Sequence, residues 1–262
     1  MEVRTDPESK YREAINAKTL NDFARTNEHS LTGPIRGVAL EFPGLGGGSC
    51  MGGVDAVGES TSYYALRCAH ENILSAYVFT GPWSWMNDQA VRIADAVLDA
   101  IWDRYGLSPD IPVASTGGSM GGCGALLFAR YSRHRISLCA ANGPACDMRD
   151  MYRSHPDMPR TIFNAVAHYD CTLDEALASL SANEQVGHMP FIPYYIVHTA
   201  RDEIIPIEKH SDIFVRRMRE LGHRVEYKVV PDRLHCDLEP KDFYEMVDWI
   251  VDTTLKASEG AD

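Results

Sequence analysis

The sequence predicts an α/β fold, in which a mostly parallel sheet is covered by helices on both faces. The chain has 262 residues, 45% of them apolar, which is enough to bury one large core. Short apolar runs typical of strands alternate with helical patterns of roughly a dozen residues or more. Strands separated by such helices are typical of a parallel sheet. We therefore expect a single domain over residues 1–262.

The predicted elements follow the chain in order. An amphipathic helix is predicted over residues 11–27, with apolar positions at Tyr11, Ile15, Leu20 and Phe23. Apolar runs predict strands at residues 35–42, 73–80, 111–116, 136–142, 194–199 and 225–230. Further helices are predicted at residues 88–105, 121–132, 207–221 and 241–255. In the first of these, apolar residues recur about every 3.6 positions, and Gly106 and Pro109 close it.

Residues 145–190 interrupt this alternation. The segment contains His155-Pro156 and Met158-Pro159 and then helical stretches near residues 160–168 and 172–181, so we interpret it as a small helical insertion over one end of the sheet. Several of its residues suit an apolar lid, namely Tyr152, His155, Met158, Phe163 and Tyr169. A small packed subdomain away from any site is the alternative.

Composition narrows the classes of function. The formal net charge is -12, which argues against nucleic acid or an anionic membrane as the main partner. Residues 1–10 are polar and charged, and no run of 18 apolar residues occurs, so we expect neither a secretion signal nor a membrane span. Seven cysteines, Cys50 among them, occur without C-x-x-C spacing, which is typical of reduced thiols in a cytoplasmic protein. We expect no metal and no cofactor, and a homo-oligomer is left open.

A glycine-rich turn between a predicted strand and a predicted helix is the strongest motif. Gly117-x-Ser119-x-Gly121 fits the G-x-S-x-G nucleophile elbow, in which a strained turn exposes the serine hydroxyl. Glycines two residues before and after the serine let the neighbouring backbone pass closely. Cys123 follows on the same predicted helix, where we expect it to serve packing.

Ser119 needs a base that takes its proton and an acid that orients this base. Asp202 and His235 each come just after a predicted strand, in the chain order Ser, Asp, His that is expected for this elbow. The carboxyl ends of parallel strands meet at one edge of a sheet, so the three residues are predicted to form a catalytic triad. Glu203 is the alternative acid. His210 is predicted on a helix surface, outside the site.

These motifs resemble those of the α/β-hydrolases, and within them the esterase and prolyl-oligopeptidase-like branch. The resemblance spans about residues 35 to 255 and is carried by Gly117 to Gly122, by His198 to Pro206 and by His235. In that branch the acid often follows His-Gly-x-x-Asp, whereas Thr199 stands here in place of the glycine. The resemblance implies a structural role for His198, which would support the turn that holds Asp202.

A tetrahedral intermediate needs two N–H donors for its oxyanion. Met120 supplies one by the geometry of the elbow. By resemblance, the second comes from the glycine-rich loop after residues 35–42, at Leu45 or, as the alternative, Gly46. A phosphate-binding loop is disfavoured because no Gly-Lys-Ser/Thr follows, and a plain flexible loop remains the other interpretation.

Two tryptophans, Trp83 and Trp85, follow the strand predicted at residues 73–80. They are expected either to line a substrate pocket or to anchor the next helix to the core.

The resemblance implies a metal-independent serine hydrolase that cleaves a small-molecule carboxylic ester through an acyl-enzyme. An ester is preferred to a peptide because peptidases of this branch usually carry an additional propeller domain, for which 262 residues leave no room. A small peptidase or amidase is the alternative, and an acyltransferase would use the same residues. An alternative that is not an enzyme is a non-catalytic binding protein of the same fold.

Overall fold

The structure is a computed structural model that describes residues 7–49 and 62–259. Cys50 and residues 1–6 of the polar N-terminal segment lie outside the described residues. No helix within the described ranges is long and apolar enough to cross a bilayer.

A seven-stranded sheet forms the centre of the described part, in the order β1-β3-β2-β4-β5-β6-β7. Its strands are β1 (Ala24–Thr26), β2 (Gly37–Phe42), β3 (Ile73–Val78), β4 (Val113–Gly118), β5 (Leu138–Asn142), β6 (Tyr194–Thr199) and β7 (Val225–Val230). All neighbouring pairs are parallel except β1 and β3, which are antiparallel. The predicted mostly parallel sheet is therefore confirmed.

Helices cover both faces of the sheet. They are α1 (Pro7–Ala14), α2 (Leu20–Phe23), α3 (Tyr63–His70), α4 (Asp88–Tyr105), α5 (Met120–Tyr131), α6 (Met148–Ser154), α7 (Met158–Val166), α8 (Leu173–Ser179), α9 (Ala182–Gln185), α10 (Ser211–Glu220) and α11 (Pro240–Glu259). Successive strand residues point to opposite faces, so Tyr195 belongs to the apolar cluster that contains α3 and α11, whereas Ile196 belongs to the one that contains α4, α5 and α10. The sequence analysis did not predict β1, α3, α6 or α9.

Several element bounds agree with the sequence analysis to the residue. The helix α4 begins after Asn87, whose side chain accepts a hydrogen bond from the Ala90 N–H. It ends at Gly106, which has the left-handed φ of 63° that glycine adopts without strain. Strand β4 runs to Gly118, two residues beyond the predicted end, and so carries the chain directly to Ser119.

The prediction of one helix over residues 11–27 is wrong. Helix α1 ends at Ala14, and the Thr19 hydroxyl donates to the Ala14 carbonyl at 2.7 Å. The Asn16 side chain accepts from the Lys18 N–H at 3.0 Å, so local side-chain bonds replace the helical ones. The chain then forms α2 and the edge strand β1, while Ile15 and Leu20 are buried in the core as their apolar pattern required.

Helix α10 begins at Ser211 rather than at residue 207, and this corrects the prediction for His210. The residues before Ser211 form turns, and the His210 side chain is fully buried instead of lying on a helix surface. Its Nδ1 accepts the Asp147 N–H at 3.0 Å. Burial lowers the pKa of His210 to about 4, so the ring is neutral near pH 7.

The predicted insertion consists of α6 to α9 and the segments between them. Its apolar side chains belong to the same cluster as those of the sheet, including Met148, Ile162, Ala165, Leu177 and Leu180. Hydrogen bonds from Trp85 Nε1 to Thr161 Oγ1 and from Asn87 Nδ2 to the Ala165 carbonyl join it to the start of α4. The insertion is thus packed firmly on the body of the protein.

Candidate active site

Ser119 lies on a sharp turn between β4 and α5. Its φ of 58° and ψ of -124° are strained for a residue with a side chain. A Cβ on Gly117 would lie 2.4 Å from the Gly121 carbonyl oxygen, and one on Gly121 would lie 2.1 Å from that of Phe42. Both positions therefore require glycine, and the close approach that they allow holds Ser119 at the end of the strand.

The structure brings the three residues of the predicted triad together. His235 Nε2 lies 2.8 Å from Ser119 Oγ, and His235 Nδ1 lies 2.6 Å from Asp202 Oδ2. These contacts join residues up to 116 positions apart in the chain. Glu203, the alternative acid, is exposed, so the acid beside His235 is Asp202. Their catalytic roles stay a prediction.

The Asp202 carboxylate is buried and surrounded by donors. Oδ1 accepts the N–H groups of Ile204 at 3.0 Å and Ile205 at 2.8 Å, and Oδ2 faces His198 Nε2 at 3.3 Å as well as His235. Burial alone would raise the pKa of Asp202, but hydrogen bonds from His198 and His235 hold this pKa well below its usual value. The side chain is therefore a carboxylate throughout the neutral range.

The two predicted oxyanion donors, Met120 and Leu45, lie at the start of α5 and in the loop after β2, and their role stays a prediction. Met120 is the first residue of α5, where a helix leaves its N–H groups without helical partners. Leu45 begins a 3₁₀ turn, Leu45–Gly47, in the loop after β2. Gly46, the alternative donor, gives its N–H to the Pro82 carbonyl at 2.9 Å and is thereby engaged. No protein acceptor for either the Met120 or the Leu45 N–H is found within the described ranges.

The two tryptophans differ in their surroundings. Trp85 is 1% exposed in the core and donates to Thr161 Oγ1, which favours the anchoring interpretation for this residue. Trp83 is half-buried, and the Arg160 guanidinium lies 4.9 Å from the centre of its ring. A role of Trp83 in substrate binding stays a prediction.

The predicted lid residues lie on α6, on α7 and in the segments that follow these helices. Met158 is buried, Tyr152 and Tyr169 pack partly against the core, and Phe163 is 54% exposed. His155 is half-buried. A lid function for this insertion stays a prediction.

Sequence reasoning did not identify Cys236 and Asn142 as neighbours of the site. Cys236 Sγ lies 3.7 Å from His235 Nε2 and 3.5 Å from the Asn142 carbonyl oxygen. The same carbonyl accepts the Ser119 N–H at 2.9 Å. Asn142 is the last residue of β5, and the carboxyl ends of parallel strands meet at one edge of a sheet. Its position at the end of a predicted strand could therefore have indicated that it lies near the site.

Cys123 is fully buried on α5, and its thiol lies 3.7 Å from the Leu180 carbonyl oxygen. Burial raises the pKa of Cys123 to about 12, so its thiol stays protonated and inert at neutral pH. Within residues 7–49 and 62–259, no group of three or more His, Cys, Asp or Glu side chains is arranged to hold a metal ion.

Comparisons with known proteins relate the chain to hydrolases by structure alone. No family model matches the sequence, and no curated protein matches it. Esterase B of Lactobacillus rhamnosis superposes with a TM-score of 0.66 at 13% identity, over 88% of this chain and 80% of that chain. It has also been solved with a tributyrin phosphonate inhibitor.

Two further structures are similar. A truncated carbohydrate esterase from gut microbiota has a TM-score of 0.65 at 11% identity, over 85% of this chain and 87% of that chain. A puromycin hydrolase has a TM-score of 0.68 at 14% identity over 86% of this chain, which spans only 35% of that longer chain. Together with the sheet topology, these likenesses show that the chain has the α/β-hydrolase fold.

Proposed function

We propose that this protein is a serine hydrolase that cleaves a carboxylic ester through an acyl-enzyme intermediate. The observation that carries the proposal is the continuous hydrogen-bonded series from Ser119 through His235 to Asp202, with Ser119 held on a strained elbow. An alcohol is a weak nucleophile at neutral pH, and such a series supplies the base that it needs. The esterases of similar structure support the same reaction class.

In the acylation step, Ser119 Oγ attacks the ester carbonyl carbon while His235 Nε2 accepts the hydroxyl proton. Asp202 accepts the His235 Nδ1–H, so it fixes the tautomer and stabilises the imidazolium. The carbonyl oxygen becomes an oxyanion, to which the Met120 and Leu45 N–H groups donate. The intermediate then expels the alcohol, which takes the proton from His235, and the acyl group stays on Ser119.

Deacylation repeats these steps with water in place of the serine. His235 accepts a proton from the water, whose oxygen attacks the acyl carbon, and the same two N–H groups bind the second oxyanion. Collapse of this intermediate returns the proton to Ser119 and releases the carboxylic acid.

The test is hydrolysis of para-nitrophenyl esters from acetyl to dodecanoyl by the wild type and by Ser119→Ala. We expect Ser119→Ala to lower kcat by at least about 10³-fold, because the nucleophile is gone. Asp202→Asn should lower kcat by about 10⁴-fold, because the His235 tautomer is no longer held. The chain length that gives the highest kcat/KM would define the size of the acyl pocket.

Two further measurements distinguish the esterase proposal from an amidase and from a binding protein. An aminoacyl amide is offered in parallel, because a puromycin hydrolase is among the similar structures. Faster Ser119-dependent cleavage of the amide would replace the ester proposal by an amidase. A phosphonate ester probe tests the nucleophile without a substrate, and failure to label Ser119 together with no turnover would contradict the hydrolase proposal in favour of a binding protein.

A further inference from the structure

A second imidazole, that of His198, contacts the same carboxylate oxygen as His235. His198 is the penultimate residue of β6 and is fully buried. Its Nε2 lies 2.9 Å from the Ile205 carbonyl oxygen and 3.3 Å from Asp202 Oδ2. Both of these oxygens are acceptors, so the ring carries a proton on Nε2.

The other ring nitrogen of His198 is held by Ser211. Its Nδ1 lies 2.7 Å from Ser211 Oγ, and Ser211, the first residue of α10, is also fully buried. A hydroxyl can donate or accept, so Ser211 is hydrogen-bonded to Nδ1 in either protonation state of that nitrogen. This bond holds the ring in the orientation that directs Nε2 toward Asp202.

The contacts thus form one continuous series from Ser119 through His235, Asp202 and His198 to Ser211, of which the last three residues are buried. Two imidazole N–H groups face Oδ2 of Asp202, while two backbone N–H groups occupy Oδ1. The negative charge of the carboxylate is therefore shared between its partners instead of acting on His235 alone. In a buried site of low dielectric, such sharing has a large effect on each partner.

We infer that His198 and Ser211 are positioning residues of the hydrolase: Ser211 orients the ring of His198, and His198 holds Asp202 and limits how strongly that carboxylate stabilises protonated His235. The inference rests on the proposed function. The inferred role of His198 is more than support of the turn, because its contact with Ile205 would be enough to support the turn. Only its contact with Asp202 connects it to the reacting groups.

Four variants test the inference. His198→Leu removes the Nε2–H donor at similar volume, whereas in His198→Gln the amide nitrogen reaches the position of Nε2 and restores the donor. Ser211→Ala removes the hydroxyl that orients the ring, and Ser211→Thr retains it. The matched controls are His223→Leu and Thr254→Val, which alter a buried histidine and a buried hydroxyl without a contact to this series.

The readout is kcat/KM for the best ester against pH. In His198→Leu the full charge of Asp202 acts on His235, so we expect the acid limb to move to higher pH by about half a unit or more. We expect kcat to fall about tenfold, because Asp202 is less firmly held, with KM unchanged since neither residue touches substrate. Ser211→Ala should also move the acid limb to higher pH and lower kcat. His198→Gln, Ser211→Thr and the controls should resemble the wild type.

A purely structural role predicts a different pattern. If His198→Leu and Ser211→Ala lower kcat equally at every pH, together with a lower Tm and an unmoved acid limb, the inference is overturned. NMR of ring-labelled histidine gives a second readout that needs no substrate, namely the resonance of the His235 Nδ1 proton. A shift of this resonance in both variants supports the inference even if ester hydrolysis fails, and an unchanged resonance contradicts it.

Discussion

At the scale of single residues, the proposed oxyanion site is built from main-chain atoms whose positions depend on backbone packing. A Cβ on Gly121 would lie 2.1 Å from the Phe42 carbonyl oxygen, so the start of α5 and the end of β2 meet through their backbones. The loop that carries Leu45 begins directly after Phe42. This contact therefore brings together the two backbone segments that lead to Met120 and Leu45.

A proline at position 45 would remove one proposed donor with little change of structure. Gly44 has φ -67° and ψ 178°, the extended conformation that is favoured before proline, and Leu45 opens a 3₁₀ turn, where a missing N–H breaks no internal bond. We expect Leu45→Pro to lower kcat on the best ester by about 10² to 10³-fold. Leu45→Ala keeps the N–H and should keep most of the activity.

Circular dichroism and thermal unfolding would show that both Leu45 variants fold. Equal kcat values for the two variants would mean that the Leu45 N–H does not bind the oxyanion, and that the loop after β2 has another purpose.

At the scale of elements, the start of α10 joins the insertion to the loop that carries Asp202. His210 Nδ1 accepts the N–H of Asp147 at the start of α6, and Lys209 pairs with Asp150 at 2.8 Å. His210 Nε2 lies 3.6 Å from Asp150, too far for a hydrogen bond. The His210 ring is thus buried with one hydrogen bond, and Nδ1 can accept this bond only while the ring is neutral.

This buried histidine should make the stability of the protein depend on pH. Its pKa is lowered from 6.5 to about 4, so between these values the unfolded chain binds a proton that the folded protein does not. The free energy of unfolding must then fall as the pH decreases through this window. His210→Asn offers an oxygen near the position of Nδ1 without titrating, so between pH 7 and pH 5 it should lose about 2 kcal/mol less stability than the wild type.

Urea unfolding at the two pH values measures this difference. His29→Asn, at a position whose side chain is 88% exposed, is the control and should follow the wild type. An equal loss of stability in the wild type and His210→Asn would show that folding does not change the pKa of His210.

The sequence predicted those elements whose signals are local. Helix α4 has a side-chain cap, a regular apolar stripe and a terminal glycine, and all three can be recognised in the amino-acid sequence. The three residues of the candidate triad were predicted because each follows a strand end, and parallel strands end at one edge. The turn at Asn16 and Thr19 was missed because the apolar pattern there is compatible with a helix, while side-chain bonds decide otherwise. The pairing of His198 with Ser211 was missed because no pattern links residues 13 positions apart across a loop.

At the scale of the whole molecule, the insertion and the sheet share one apolar core. Ile162 on α7 is fully buried in the cluster that also contains β2, α4 and α5. The Tyr131 hydroxyl at the end of α5 donates to the Ser179 carbonyl at 2.9 Å, and Cys123 contacts Leu180. A segment packed in this way should unfold together with the sheet.

A substitution inside the insertion should therefore destabilise the entire protein. We expect Ile162→Ala to lower the free energy of unfolding by about 2 to 5 kcal/mol, in a single transition. The neighbouring Phe163 is 54% exposed on the same helix, so Phe163→Ala should cost less than about 1 kcal/mol. Differential scanning calorimetry would record both, and a separate early transition in Ile162→Ala would show that the insertion folds independently.

The backbone contact between Gly121 and Phe42 also bears on how this chain can evolve. Every amino acid except proline carries the N–H that the oxyanion requires, so position 45 can vary widely in its side chain while the donor is inherited unchanged. The Leu45 side chain is 36% exposed and faces few packing demands, unlike that of Met120, which is 2% exposed. Substitutions at position 45 can thus change an exposed side chain, while the atoms proposed to perform the reaction remain under a separate and stricter selection.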